Sequence, residues 1–119
     1  MLSLPHSTDA ENSVVVFWDK ANFAGNAVQV RRAFMGQTCY NDNVGKPSSI
    51  TWKNLPTTGR FEGKSKIAFY SERSCKGIVK AWFTTGKDFP TNLALDGLND
   101  NVKSFMLWQI NEEPRVYQD

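Results

Sequence analysis

Residue types that commonly perform catalysis are scarce in this chain of 119 residues. The only histidine, His6, lies in a polar amino-terminal segment. A Ser-His-Asp or Cys-His arrangement, or a conventional zinc site, needs a histidine inside the folded domain. Glu62 and Glu72 are candidates for a carboxylate pair, but isolated acids on strands are usually solvated surface residues. We therefore predict that the protein is not an enzyme.

Charge and hydropathy exclude two further classes of function. The chain has 14 Lys and Arg against 12 Asp and Glu, a formal net charge of +2. This excess is too small to indicate a nucleic acid or a membrane surface as partner, and residues 30–32, Val-Arg-Arg, are better explained as a charged edge strand. No apolar run approaches the roughly 20 residues that span a bilayer. We expect a monomer whose partner is a protein or a cell surface, with no bound nucleic acid and no transmembrane segment.

Two short segments share one pattern, FWDKANFAG at 17–25 and FYSERSCKG at 69–77. Each has an aromatic residue, four mostly polar residues, then Phe in the first segment or Cys in the second, one more residue and a glycine. The repeat indicates that the chain is built from two similar halves. The matching positions are Trp18 and Tyr70, Phe23 and Cys75, and Gly25 and Gly77.

The segments around the repeated pattern are typical of strands. Apolar runs of β-branched and aromatic residues precede each glycine, and residues 26–34 alternate apolar and polar side chains. Within 84–97 there is room for one helical turn at most, because Pro90 and Gly97 limit it. We predict a single all-β domain of about eight strands at 13–109. Its parts are motif one (13–53), a connector (54–65) and motif two (66–109), with polar tails at 1–12 and 110–119.

The glycine of each repeated segment suits a folded hairpin. A strand that folds sharply over its neighbour needs a residue with positive φ or without a side chain, and glycine provides both. The two aromatic residues of the first copy, Trp18 and Phe23, are expected to stack across the turn and hold it closed. The second copy has Cys75 in place of the second aromatic residue.

The repeated pattern resembles the Greek-key motif of the βγ-crystallin superfamily. That motif has an aromatic residue, four residues, an aromatic residue, one residue and glycine, followed later by a polar loop and serine. The resemblance covers about residues 13–109, and "GKPSS" and "DNVKS" occupy similar places in the two halves. It implies an all-β, βγ-crystallin-like Greek-key sandwich of two four-stranded antiparallel sheets. The second pattern also resembles, in part, small antimicrobial proteins and killer toxins built on a crystallin-like fold.

The same resemblance implies a calcium loop at 100–104. In microbial members the loop before the last strand often has two Asn or Asp residues, two further residues and Ser or Thr, and it binds Ca²⁺. Here Asp100 and Asn101 lead, Val102 follows, and Ser104 closes the loop. Carboxylate, amide, hydroxyl and carbonyl oxygens are the ligands that calcium prefers. The alternative is that this Asp/Asn-rich loop only makes turns.

The first motif matches the calcium pattern poorly. Aligning Ser48 with Ser104 places Val44 and Gly45 where the acidic pair should be. The first site is therefore expected to be degraded. We predict at most one Ca²⁺ site, and a weak one, because Lys103 lowers the negative potential of the second loop.

The two cysteines, Cys39 and Cys75, are too few for a metal site. In a domain of the kind that the sequence resembles, the hairpin of one motif lies near the long loop of the other, where Cys39 is placed. The resemblance therefore implies a Cys39–Cys75 disulfide and secretion into an oxidising compartment. The alternative is a pair of buried free thiols in a cytoplasmic protein.

The function expected from these features is that of a secreted, non-enzymatic βγ-crystallin-like binding or stress module. One alternative is a secreted toxin, antimicrobial protein or host-directed effector of crystallin-like fold. Another is a protease inhibitor of the same fold, whose inhibitory loop would be residues 54–63. The first residues have neither the basic region nor the apolar core of a signal peptide, which fits either a cytoplasmic protein or a secreted one whose signal has been removed.

Overall fold

A computed structural model describes residues 13–109 and 115–116 of the protein. Within these residues the chain forms nine strands and one 3₁₀ turn. Their bounds are β1 Val14–Lys20, β2 Ala24–Arg31, β3 Thr38–Tyr40, β4 Ser49–Lys53, β5 Thr58–Phe61, β6 Lys66–Glu72, β7 Lys76–Phe83, the 3₁₀ turn Leu93–Asp96, β8 Ser104–Trp108 and β9 Arg115–Val116. None of the described helical segments has the length and apolar character needed to cross a membrane.

Two sheets form a sandwich in which the first half of the chain contributes one strand to the sheet of the second half. The first sheet has the order β2-β1-β4, and the second has the order β7-β6-β8-β3-β9. Strand β3 comes from the first half but pairs with β8 of the second, Cys39 opposite Met106 and Tyr40 opposite Phe105. The predicted all-β Greek-key sandwich is therefore confirmed, with the two motifs interlocked.

The strand count of each sheet differs from the predicted four. The segment that adjoins β4 in the first sheet makes only scattered bonds: Ile50 N donates to Pro90 O at 3.1 Å, and Leu93 N donates to Ser48 O at 2.8 Å. Pro90 has no N–H and cannot donate to a ladder, so this sheet has three described strands. The second sheet has five because β9 runs parallel beside β3.

The predicted connector contains a strand and a turn. Residues 54–65 contain β5 and a tight turn at Gly63, and Arg60 N donates to Gln109 O at 2.9 Å. This part of the chain is thus hydrogen-bonded structure rather than a simple link. Of the predicted tails at 1–12 and 110–119, only residues 115–116 belong to the described part, and they form β9.

The 3₁₀ turn lies where a single helical turn was predicted. The side chain of Asn92 accepts from Ala94 N at its start, and Gly97, with φ of 75°, ends it. Both caps satisfy backbone groups that a short helix leaves unpaired.

Aromatic side chains from both halves fill the core between the sheets. Phe17 of β1, Phe69 of β6 and Phe105 of β8 are each at most 1% exposed. The Phe17 ring lies 5.9 Å from that of Phe69 and 5.5 Å from that of Phe105, centroid to centroid. Tilted and edge-to-face contacts of this kind add to the stabilisation from burial. Each half therefore stabilises the other.

Candidate functional site

The two folded hairpins are each held by a buried serine from the last strand of the same motif. In the first half, Ser49 Oγ accepts from Phe23 N at 3.0 Å and donates to Lys20 O at 2.6 Å. In the second, Ser104 Oγ accepts from Cys75 N at 2.9 Å and donates to the carbonyl of Glu72 at 2.5 Å. The repeated sequence pattern thus encodes a repeated hydrogen-bond arrangement.

This arrangement corrects the serine alignment by one residue. Ser49 lies opposite Trp18, as Ser104 lies opposite Tyr70, so Ser49 rather than Ser48 is the counterpart of Ser104. The backbone of Ser48 corresponds to that of Lys103, because Ser48 N donates to Trp18 O just as Lys103 N donates to Tyr70 O.

Ser104→Ala is expected to lower the free energy of unfolding by about 1–3 kcal/mol, because the amide of Cys75 and the carbonyl of Glu72 would both lose a buried partner. Equilibrium urea unfolding measures this loss. Ser48→Ala is the matched control, expected to change stability by less than about 0.5 kcal/mol. Equal losses in the two variants would contradict the hydrogen-bond role of Ser104.

The expected stacking of Trp18 on Phe23 is wrong. Trp18 follows the core residue Phe17 in β1, so it lies on the opposite face, where its Nε1 donates to Thr51 Oγ1 at 3.2 Å. Phe23 packs edge-to-face on Phe89 instead, at 6.2 Å between centroids. The first hairpin is therefore held by Ser49 and by contact with the second half of the chain.

The predicted calcium loop offers few free oxygen donors. Asp100 and Asn101 are exposed, Val102 is buried, and the hydroxyl of Ser104 already makes the two hydrogen bonds that hold the second hairpin. Asp100 N donates to Pro47 O at 2.9 Å, so the two calcium-type loops touch each other. Among the described residues no three His, Cys, Asp or Glu side chains lie close enough to hold a metal. This donor set fits calcium poorly.

The two cysteines form the predicted disulfide. Cys39 and Cys75 are joined at an S–S distance of 2.01 Å, with their Cα atoms 6.0 Å apart. Cys39 lies in β3 rather than in the long loop where it was placed, and it is fully buried. The bond ties strand β3 of motif one to the folded hairpin of motif two, at the position that Phe23 occupies in motif one.

The outer face of the second sheet carries a second small apolar cluster. Ala68, Tyr70 and Met106 are buried there, and Trp108 packs against them. The indole Nε1 of Trp108 donates to the hydroxyl of Tyr70 at 3.0 Å. Burial raises the pKa of the Tyr70 phenol, and the bond from Trp108 opposes that rise in part. The cluster supports the disulfide from the side away from the main core.

Alkaline solution is expected to destabilise the protein through Tyr70. A raised pKa means that the folded state holds the phenolic proton more tightly than the unfolded state, whose pKa is close to 10.0. This contribution to stability is therefore present below that pH and is lost as the pH rises through the pKa of the folded state. Denaturant unfolding across this range measures the effect.

Tyr70→Phe provides the control for this pH dependence, because it removes the titrating group and keeps the ring. The slope of stability against pH above pH 10.0 should be smaller in the variant than in the wild type. An unchanged slope would show that another group causes the alkaline loss.

An open cleft lies at the end of the sandwich where β4 and β7 finish. Its volume is ≈ 530 Å³, within the range of small-ligand sites. Residues of 52–57 and 84–89 line it, including the rings of Trp52 and Phe89, which pack edge-to-face at 4.7 Å. No motif in the sequence indicated this cleft, because its walls come from two polar loops that are distant in the chain.

Comparison with known proteins finds similarity to solved structures only. No protein-family model matches the sequence, and no curated protein does. One similar structure, described under the evolution of the eye-lens βγ-crystallin domain fold, is 17% identical in sequence to this chain. The match covers 82% of this chain and 87% of that chain, with a TM-score of 0.54.

Two microbial structures are similar to the same degree. A βγ-crystallin from an archaeon is 19% identical, with 79% of this chain and 95% of its own covered and a TM-score of 0.50. A double mutant of a βγ-crystallin domain from Clostridium beijerinckii is 13% identical, with coverages of 81% and 97% and a TM-score of 0.50. At these identities the likeness concerns the fold alone.

Proposed function

We propose, from the premise that the chain has the βγ-crystallin fold, that it is a secreted, non-enzymatic binding or stress module locked by one disulfide. The observation that carries the proposal is the Cys39–Cys75 bond, which joins the two motifs. Disulfides form and persist in oxidising compartments and are rare in the cytosol. Cys39 is fully buried in β3, so the disulfide is part of the folded architecture rather than a link between two surface residues.

The state of the cysteines in the natural protein tests this proposal. Protein isolated from its source under conditions that block free thiols should resist alkylation until a reductant is added, and intact mass would show two modified cysteines only after reduction. Two alkylated cysteines in the unreduced protein would overturn the extracellular assignment.

A toxin or effector of the same fold is the second candidate, and the disulfide fits it equally well. Addition of the purified oxidised protein to competitor or host cells separates the two. The module predicts no loss of growth or viability, whereas an effector predicts a loss that disappears on reduction.

Protease inhibition through residues 54–63 has less support. Arg60 N is bonded to Gln109 O, and a Cβ at Gly59 would meet the carbonyl oxygens of Lys64 and Gln109 at 2.6 and 2.9 Å. A segment held this way on one side presents little free backbone to a protease cleft. Assays against serine proteases and metalloproteases test this alternative directly.

Calcium binding by the loop at 100–104 stays a prediction of at most one weak site. A ligand bound only by the folded state raises the melting temperature, so a site with an affinity of about 1 mM would give a small rise at several millimolar Ca²⁺. Asp100→Ala should abolish the rise, and Asp88→Ala, at the other end of the molecule, should keep it. No rise in the wild type would contradict the prediction.

A further inference from the structure

Positive charge is concentrated at one end of the sandwich. Residues 53–66 and 83–89, called here the basic end, contain five Lys and Arg and two acids, Glu62 and Asp88. Their net charge of +3 exceeds the +2 of the whole chain. The other described residues of 13–109 carry eight Lys or Arg and five acids, also a net +3 but spread over 76 residues instead of 21. Positive charge is therefore denser at the basic end, which favours anions there. Its cations are Lys53, Arg60, Lys64, Lys66 and Lys87.

Two of these cations share aromatic rings rather than pairing with acids. Lys66 Nζ lies 4.8 Å from the centroid of Phe83 and 5.8 Å from that of Phe61, and Lys64 Nζ lies 5.4 Å from Phe83. Among the described residues neither ammonium group has a carboxylate within ion-pair distance. Two like charges held beside one ring repel each other, and a bound anion would relieve that repulsion.

The cleft of ≈ 530 Å³ at the same end has an aromatic and hydroxyl-bearing wall. Phe89 is half-buried beside Trp52, and Thr57 and Thr85 also line the cleft, together with Lys53 and Lys87. A few hydroxyl and charged groups around an apolar surface are typical of sites for small polar ligands.

The cleft and the lysine–aromatic group adjoin each other. Phe83 is followed by Thr84, which lines the cleft, and Lys64 is followed by Ser65. The hydroxyls of Thr84 and Ser65 lie 2.8 Å apart, and Thr84 N donates to Ser65 O at 3.1 Å. These bonds fix the two surfaces relative to each other. A ligand longer than one sugar ring could therefore contact both.

We propose that the basic end binds an acidic polysaccharide, with sulfate or carboxylate groups on the lysines and sugar rings in the cleft. This ligand class rests on the proposed extracellular function, because a secreted protein encounters extracellular polysaccharides. Threonine hydroxyls match sugar hydroxyls, and aromatic rings provide an apolar surface for the C–H face of a sugar. Single-stranded nucleic acid shares the anionic and stacking features but has no need of the hydroxyl-lined wall.

Binding is tested by calorimetry on the oxidised full chain with two probes, heparin for sulfate groups and polygalacturonate for carboxylate groups. Dextran is the neutral control and a single-stranded oligothymidylate is the competing polyanion. We expect one of the acidic polysaccharides to bind more tightly than the oligonucleotide, dextran not to bind, and affinity to fall as salt rises.

Two double variants locate the site. Lys64→Ala with Lys66→Ala, and Lys53→Ala with Lys87→Ala, should each weaken binding about tenfold through the loss of two ammonium contacts. Lys20→Ala with Lys46→Ala removes the same charge from exposed positions outside the basic end and should leave affinity within about twofold. Lys53 and Lys87 are exposed, so the second variant keeps the test valid if loss of half-buried Lys66 impairs folding.

Three outcomes would overturn the inference: no binding of either acidic polysaccharide, tighter binding of the oligonucleotide, or an equal loss in the Lys20 and Lys46 variant. None of these would affect the proposed function if the natural protein carries its disulfide. Free thiols in the natural protein would overturn the proposed function instead, whatever the polysaccharide result.

Discussion

Replacing Cys39 and Cys75 together with alanine is expected to lower the free energy of unfolding by about 3–4 kcal/mol. The disulfide spans 36 residues, and its removal lets the unfolded chain regain the conformations that this closed loop excludes. Guanidinium unfolding of the variant measures the loss. Alanine is preferred to serine because a hydroxyl at the fully buried Cys39 would add a separate cost.

The reduced wild-type protein is the control for this variant. Its midpoint in guanidinium should fall to that of the double alanine variant, because both lack the same cross-link. A loss of less than about 1 kcal/mol would indicate that the unfolded chain is already restricted, contrary to the chain-entropy account.

Gly25→Val is expected to lower the free energy of unfolding by about 3 kcal/mol, the sum of a left-handed backbone penalty and overpacking. Gly25 has φ of +84°, and a Cβ there would collide with Asp19 Oδ1. That oxygen accepts from Asn26 N at 2.9 Å. The valine therefore has an unfavourable backbone angle and also breaks a hydrogen bond within the first hairpin.

Gly45→Val separates the two causes. Gly45 has φ of +74°, but a Cβ at this position would have no atom within 4 Å. Only the backbone penalty of about 1–2 kcal/mol applies to it. Thermal or urea unfolding of both variants gives the difference, and equal losses would show that the contact with Asp19 contributes nothing.

The hairpins were predictable because their requirements are local. A folded hairpin needs a glycine at a fixed spacing from the preceding aromatic residue, because the turn requires positive φ there. The spacing spans only a few residues, so the repeat at Gly25 and Gly77 reveals it. The disulfide followed from the resemblance, since it depends on how two motifs interlock. Neither feature required knowledge of side-chain packing.

The serine register was not predictable from the same pattern. Both halves have a serine before an apolar strand that ends in tryptophan, which favoured Ser48. Trp52, however, faces the main core, whereas Trp108 belongs to the cluster on the outer face. A shift of one residue in a strand exchanges its faces, and two tryptophans on opposite faces cannot be equivalent.

The basic end was missed for a different reason. Its lysines are spread over two segments, and each is an ordinary surface residue when read alone. Residues 64–66 and 83–84 become neighbours only through the pairing of β6 with β7, where Lys66 lies opposite Phe83. A net charge summed over the whole chain hides a surface of this kind.

The disulfide between strand β3 and the second hairpin would hold a cleaved chain together. Cys39 lies before the segment that joins the two motifs, and Cys75 lies after it. A protease that cut one peptide bond between these cysteines would leave two fragments joined covalently, with β3 still paired to β8. The nicked protein would keep its full mass on a non-reducing gel and would remain a covalently joined two-chain molecule.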